Sequence, residues 1–331
     1  MKSVLPALLL GLCAAGPAGA ADTTELQDGL SWLKKMASAS RQLNYVGTFV
    51  YRNNRQTETS RIAHFNNSAG GEFEKLETLD GPPREIIRTN DQVTCYLPNS
   101  KTVLVEKRMP RRFPAMLPEQ LTGVVDSYAV RKEGTDRVAG HECQVIVLEP
   151  RDKLRYGHYF CAEVKSGLPL RARSLGEKNE TLESFAFTEL AIGRDFSRDL
   201  VKSRYAAKAK DWKVDRSAIP VAETPGDTGW ALASQLPGFR KMSEFRRSIA
   251  GRSGTVAHIV FSDGLAAISI FIEPMPGPRP VPHLSHQGAV NIYTRQVADY
   301  MVTALGEVPA ATVMQVAKSL EFKGAATAVR Q

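Results

Sequence analysis

The spacing of hydrophobic positions changes period several times along the chain. Leu26, Leu30, Leu33 and Ala37 recur every three or four residues, which predicts an amphipathic helix, with Asp22, Thr23 or Thr24 available to cap its start. From Tyr45 the period becomes two. Tyr45, Gly47, Phe49 and Tyr51 then share one face of a strand, and Val46, Thr48 and Val50 the other. Strand-like runs follow at 58–66, 72–79, 84–89, 92–97 and 101–107, set apart by turn sequences such as Ala69-Gly70-Gly71, Gly81-Pro82-Pro83 and Pro98-Asn99-Ser100. Prolines interrupt the pattern between Pro110 and Tyr128, where a short helix is predicted from Glu119 to Asp126. Strands resume at 142–149, 156–164, 169–175 and 181–191. Short strands at such regular spacing argue for an antiparallel meander, and their number predicts a large curved sheet whose concave side needs covering.

Near residue 194 the character changes. Charged residues and alanines alternate without a sustained apolar period, and Pro220 and Pro225-Gly226 punctuate the end, so 194–227 is expected to hold the interdomain linker and the natural moving part, with a strand near 198–204. Beyond it, Leu236-Pro237-Gly238-Phe239 turns into a strand, and 256–261 and 265–273 are strands joined by the tight turn Ser262-Asp263-Gly264. A proline-rich loop from Pro274 to Pro282 leads to strands at 289–294 and 299–305. Gly306-Glu307-Val308-Pro309 then opens a C-terminal helix with Val313, Val316, Ala317 and Leu320 on one face. The expected organisation is an N-terminal domain over 22–200, a linker over 201–227 and a smaller α+β domain over 228–323.

The chain has 331 residues, 43% of them hydrophobic and 24% charged, enough apolar material for two cores and too much for disorder as the main state. Residues 1–20 combine Lys2, an apolar stretch from Val4 to Leu12 and the small-residue tail Ala18-Gly19-Ala20, the pattern of a secretory signal peptide cleaved after Ala20 or Ala21. A lipoprotein reading competes, because Leu10-Gly11-Leu12-Cys13 resembles a lipobox, although bulky Leu12 stands where a small residue is needed. Export changes the reading of the +8 net charge: acidic lipid surfaces or protein segments stay on the list of partners, and nucleic acid leaves it.

Once Cys13 is removed with the leader, Cys95, Cys143 and Cys161 remain. A hairpin centred near Asp152 would set Cys143 and Cys161 on neighbouring strands and favour a disulfide there; three buried thiols are the alternative. Histidines 64, 141, 158, 258, 283 and 286 fit no metal-site spacing. His283 and His286 in the proline-rich loop could share a metal, but exposed loop histidines are commoner. No nucleophile elbow, phosphate-binding glycine loop or dinucleotide fingerprint is present, which favours a binding protein without catalytic residues, metal or cofactor. Two basic clusters could grip lipid phosphates or an acidic partner: Lys107 and Arg108 with Arg111 and Arg112, and Arg240 and Lys241 with Arg246, Arg247 and Arg252. Each could equally be a solubilising surface. Tyr45, Phe49 and Tyr51 could likewise line a lipid-contacting cavity or belong to ordinary core.

Taken in order, several stretches resemble one family, the periplasmic MucB/RseB regulators of an envelope-stress sigma factor. They are Tyr45-Val46-Gly47-Thr48-Phe49-Val50-Tyr51, Asp80-Gly81-Pro82-Pro83-Arg84-Glu85, Arg155-Tyr156-Gly157 with Gly167-Leu168-Pro169-Leu170, Ser262-Asp263-Gly264-Leu265-Ala266 through Phe271-Ile272-Glu273-Pro274, and Gly306-Glu307-Val308-Pro309. Glu163 departs from the aspartate expected before the Gly-Leu-Pro turn and keeps its charge. The resemblance implies an α+β protein with a large N-terminal unclosed antiparallel β-barrel of the LolA/LolB type, covered by helices, and a smaller C-terminal domain. It also implies a periplasmic regulator that binds the periplasmic segment of a membrane-spanning anti-sigma factor and shields it from site-one proteolysis, with lipid or lipopolysaccharide as releasing signal. A lipid or lipoprotein carrier is the competing expectation, and homo-oligomerisation stays open.

Overall fold

The computed structural model describes residues 18–67, 71–107, 113–118, 121, 123–193, 196–216, 223–248, 255–275 and 281–324. Most of the leader lies outside these residues. Helix α1 spans Ala18–Gln42, so the capping residues expected at 22–24 lie inside it, and the alanines 18, 20 and 21 favour the helix despite Gly19. Leu33, Met36 and Ala37 are the buried stripe of this helix, with Leu30 partly buried beside them.

Two meanders follow. The first contains β1 (Tyr45–Asn53), β2 (Thr57–Asn66), β3 (Glu72–Thr78), β4 (Glu85–Thr89), β5 (Gln92–Leu97) and β6 (Thr102–Lys107). The second contains β7 (Tyr128–Val138), β8 (His141–Pro150), β9 (Gly157–Glu163), β10 (Pro169–Leu175) and β11 (Thr181–Ile192). β1 pairs antiparallel with β11 and merges them into one open sheet of twelve strands, the twelfth being β12 (Lys213–Asp215) parallel to β6. Of the helix expected over 119–126, the described residues contain α2 (Val124–Ser127), entered through Gly123 at φ +89°, while 119, 120 and 122 lie outside the described residues. β7 was not anticipated: its middle, Arg131 to Arg137, is exposed and charged, and only Tyr128, Val130 and Val138 are buried, so it carries no alternating apolar signal.

One face of the sheet packs beneath α1. Tyr45 is fully buried, its hydroxyl donating to Ser40 O at 3.1 Å and its ring stacked on His64 at 4.8 Å. Phe49 meets Phe113 and Phe187 at centroid distances of 5.2 and 6.0 Å. Residues 196–216, expected as linker, instead strap the opposite face. Ser197 Oγ accepts from Asp199 N and caps a 3-10 turn at Arg198–Val201, where a strand was expected. The fully buried Glu85 binds Lys75 at 2.7 Å and accepts from Ser203 Oγ, while Arg204 pairs with Glu77 and Trp212 lies edge-on to Tyr96. A hinge spanning all of 194–227 is therefore ruled out over its anchored part, 196–216.

The second unit has a seven-stranded sheet in the order β13-β15-β16-β17-β20-β19-β18. Its elements are β13 (Glu223–Pro225), β14 (Trp230–Leu232), β15 (Arg240–Ser248), β16 (Thr255–Ser262), β17 (Ala267–Pro274), β18 (His283–Gln287), β19 (Val290–Val297), β20 (Tyr300–Gly306), α3 (Ala310–Ser319) and β21 (Leu320–Phe322). α3 buries Val313, Val316 and Ala317 against a core that includes Ile268, Ile270 and Val302. His283 and His286 lie on β18 and not in a loop; positions three apart on a strand face opposite sides, which separates the two imidazoles.

Cys143 on β8 and Cys161 on β9 are joined in a disulfide with Cα atoms 5.3 Å apart, and Cys95 is buried as a free thiol. The bond closes a loop of sequence separation 18. A loop of that order restricts the unfolded chain by about 3 kcal/mol. The Cys143→Ala/Cys161→Ala double variant is expected to lose stability of that size in urea unfolding, and reductant should weaken the wild type and leave the variant unchanged.

Candidate partner interface

The two units meet at a junction built from two turns. Between β8 and β9, Asp152 Oδ1 accepts from Leu154 N at 2.9 Å and from Arg155 Nε at 3.0 Å, which aims the guanidinium away from its own strand pair. Between β16 and β17, Asp263 Oδ1 accepts from Leu265 N and Ala266 N at 2.9 and 2.8 Å and leaves Oδ2 pointing outward. Arg155 Nη1 reaches that Oδ2 at 2.7 Å, and both side chains are 0% exposed. Nη2 donates to Asp152 Oδ2 at 3.0 Å and to Pro237 O at 2.7 Å. The Tyr128 hydroxyl donates to Asp263 Oδ2 at 3.3 Å, and Phe239 lies under the guanidinium at 4.7 Å. Burial, followed by the Asp263 charge, raises the Tyr128 phenol far above its ordinary value. Taking two charges out of water is costly, and removing one partner from such a pair typically costs about 3–5 kcal/mol.

Apolar exchange surrounds the pair. Leu154 of the first unit packs against the second core, and Leu265 of the second against the first. Thr312 Oγ1 donates to Leu154 O at 3.0 Å, and Asn291 Nδ2 to the Tyr156 hydroxyl at 2.9 Å. Farther along, Gly288 in the turn from β18 to β19 comes so close to the first unit that a Cβ there would stand 2.8 Å from the Tyr51 hydroxyl. That hydroxyl donates to Glu183 Oε2 at 3.1 Å.

The residues singled out from sequence are distributed unevenly around this junction. Tyr51 is half-buried at its edge, whereas Tyr45 and Phe49 are packed within the first core. Arg108, Arg111, Arg112 and Arg252 lie outside the described residues, and of Arg247 only the backbone is described. Arg240 and Arg246 are exposed at opposite ends of β15; Arg246 Nη2 donates to Thr228 O at 2.9 Å, and Lys241 between them is paired with Glu244 at 2.5 Å. Asp263 was read from sequence as part of a tight turn, and both Arg155 and Asp263 lie in stretches that carry the family resemblance, but neither was singled out as a site residue. Nothing local marks them as partners, because the bond joins positions 108 residues apart.

Two further concave surfaces are present. A cleft of about 540 Å³ is lined by Glu58, Thr78, Asp80, Pro82, Arg84 and Leu97, with Asp80 accepting from Thr59 N and Arg84 paired to Glu58 at 2.9 Å. The second, of about 660 Å³, runs along the outer side of α3 past Met314, Gln315 and Lys318. Among the described residues no group of three His, Cys, Asp or Glu side chains could hold a metal ion, and no helix is long and apolar enough to cross a membrane.

Comparison with known proteins covers both units. The MucB/RseB N-terminal domain family matches residues 28–205, and the MucB/RseB C-terminal domain family matches residues 224–321. The sigma factor AlgU regulatory protein MucB of Pseudomonas aeruginosa is 32% identical, over 98% of this chain and 99% of its own. The sigma-E factor regulatory protein RseB of Haemophilus influenzae is 25% identical, over 96% of this chain and 97% of its own. The solved Pseudomonas aeruginosa MucA/MucB complex contains a chain that superposes with a TM-score of 0.73 at 30% identity, covering 90% of this chain and 100% of that one.

Beside the junction, His158 stacks on Phe160 at 6.0 Å, tilts against Tyr128 at 5.9 Å, and has a buried Nε2 without a hydrogen-bond partner. Burial depresses its pKa to about 4, with the Asp263 charge opposing. A base held below its unfolded value near 6.5 contributes stability that is fully present above pH 6.5 and is lost as pH falls toward 4, at most about 3 kcal/mol here. Denaturant unfolding of the wild type should therefore weaken between pH 7 and 4.5, and His158→Phe should show a shallower loss over the same interval.

Proposed function

Because the chain belongs to the MucB/RseB family, we propose that it is a periplasmic negative regulator of a sigma-E/AlgU-type envelope stress response. It binds the periplasmic segment of a membrane-spanning anti-sigma factor and shields that segment from site-one proteolysis, without a catalytic step of its own. Lipid or lipopolysaccharide is the releasing signal. The observation that carries this reading is the likeness, across both units, to a MucB chain solved together with MucA.

The chemistry is that of sheltering. A protease needs its substrate extended and free to enter a cleft, and a segment laid against a folded surface or a strand edge cannot do so until it dissociates. Two units joined through a buried junction present such a surface in one fixed shape. The exposed Arg240 and Arg246 are the described basic residues proposed to meet acidic groups of the partner or of a lipid headgroup. Release by lipid requires that the lipid-bound form hold the segment less tightly.

In a cleavage assay with the cognate periplasmic fragment and site-one protease, saturating amounts of the exported chain should slow cutting at least tenfold; an unchanged rate would overturn the reading. At low ionic strength Arg246→Glu should weaken fragment binding by more than twofold, with the difference shrinking in high salt. An affinity within twofold would assign Arg246 to its Thr228 contact alone.

A further inference from the structure

We propose that the buried Arg155–Asp263 pair is an interdomain lock, holding the two units in the arrangement that takes up the partner and releasing the partner when it opens. The inference rests on the anti-sigma reading above and adds to it the element through which binding is regulated.

The two ends of the lock come from different units, and each is built to survive on its own. If the units part, Arg155 loses Asp263, Pro237 O and Phe239 but keeps Asp152 at both Nε and Nη2. Asp263 loses Arg155 and Tyr128 but keeps the two backbone donors of its own turn through Oδ1. Neither charge is stranded without a partner, and water replaces what was lost. An interface with a dry, paired state and a hydrated, separately satisfied state is bistable, and small perturbations at one place can switch it. Among the described residues, the remaining polar links across the junction, Thr312 to Leu154 and Asn291 to Tyr156, are bonds between neutral groups, so the ion pair is the strongest of the three.

The strap is fastened to the first unit through β12, which ends at Asp215, and the second unit begins its sheet at Glu223, so the units stay tethered and rebinding is fast. The closed arrangement is the one assigned to partner binding, supported by the likeness of the whole chain to a chain of the MucA/MucB complex at a TM-score of 0.73. A releasing ligand then has to favour the open arrangement by its own differential affinity.

Gly238 supplies a way to open the lock without removing a charge. It sits at φ +75°, and a Cβ there would stand 2.6 Å from Ser127 Oγ and 2.9 Å from both terminal nitrogens of Arg155. Gly238→Ala therefore wedges the guanidinium away from Asp263, whereas Asp263→Asn removes the charge itself. Both variants are to be made in the full exported chain and studied by small-angle scattering, thermal unfolding and calorimetric titration with the anti-sigma fragment. The expected result for each is a larger radius of gyration, one unfolding transition split into two, and fragment affinity lowered at least tenfold. Arg131→Gln, which breaks the exposed pair with Glu149, should move none of these. Variants that scatter and unfold like the wild type, or that open while binding within twofold of it, overturn the lock. A wild-type chain that ignores the fragment defeats the anti-sigma reading and the coupling together, and the scattering comparison then still decides whether the pair holds the units closed.

Discussion

A guanidinium and a carboxylate that are both shut off from water cannot be placed carelessly. Arg155 and Asp263 must each keep their hydrogen bonds satisfied, and the turns that carry them are shaped for that purpose, Asp152 orienting one and the backbone of 265–266 the other. Once the pair forms, the β8–β9 turn and the β16–β17 turn have a defined separation. Leu154 and Leu265 are then carried into each other's cores, and the β18–β19 turn comes to rest beside Tyr51. The relative placement of the two sheets follows from a contact of a few side chains.

The strap has a related role in the first unit. A sheet of twelve strands exposes two faces, and α1 covers only part of one. Residues 196–212 lie over β2 to β5 on the other side, where Ala63 and Phe65 are buried, and the buried Glu85 fastens them there. A segment rich in charge and poor in apolar periodicity is thus held by specific ion pairs instead of by a continuous hydrophobic stripe. It cannot serve as a free hinge along that length.

This arrangement suits a protein that acts by sheltering another chain. Rigidity of the binding surface lowers the ordering cost of association, and a junction with two satisfied states allows that surface to be dismantled without unfolding either unit. The aromatic cluster of Phe49, Phe113, Phe185 and Phe187 packs beside β1 and β11, so these rings contribute stability to the scaffold from which the junction is hung.

Most of the strands and turns were legible in the sequence because they are local: period-two alternation from Tyr45, the Gly81-Pro82-Pro83 and Ser262-Asp263-Gly264 turns, and the apolar face of α3 each need only a few neighbouring residues. The Cys143–Cys161 neighbourhood was legible for the same reason, since one hairpin brings the sulfurs together. β7 was not, because an outer strand buries only its ends, and the strap was not, because its anchors Glu77 and Glu85 lie more than a hundred residues before Ser203 and Arg204. By itself the sequence determined the alternation, the turns and the likeness to one family. Only the tertiary structure decided that β1 pairs with β11, that the charged linker lies down on the sheet, and that Arg155 meets Asp263, since pairing between distant positions depends on chain packing and leaves no periodic trace.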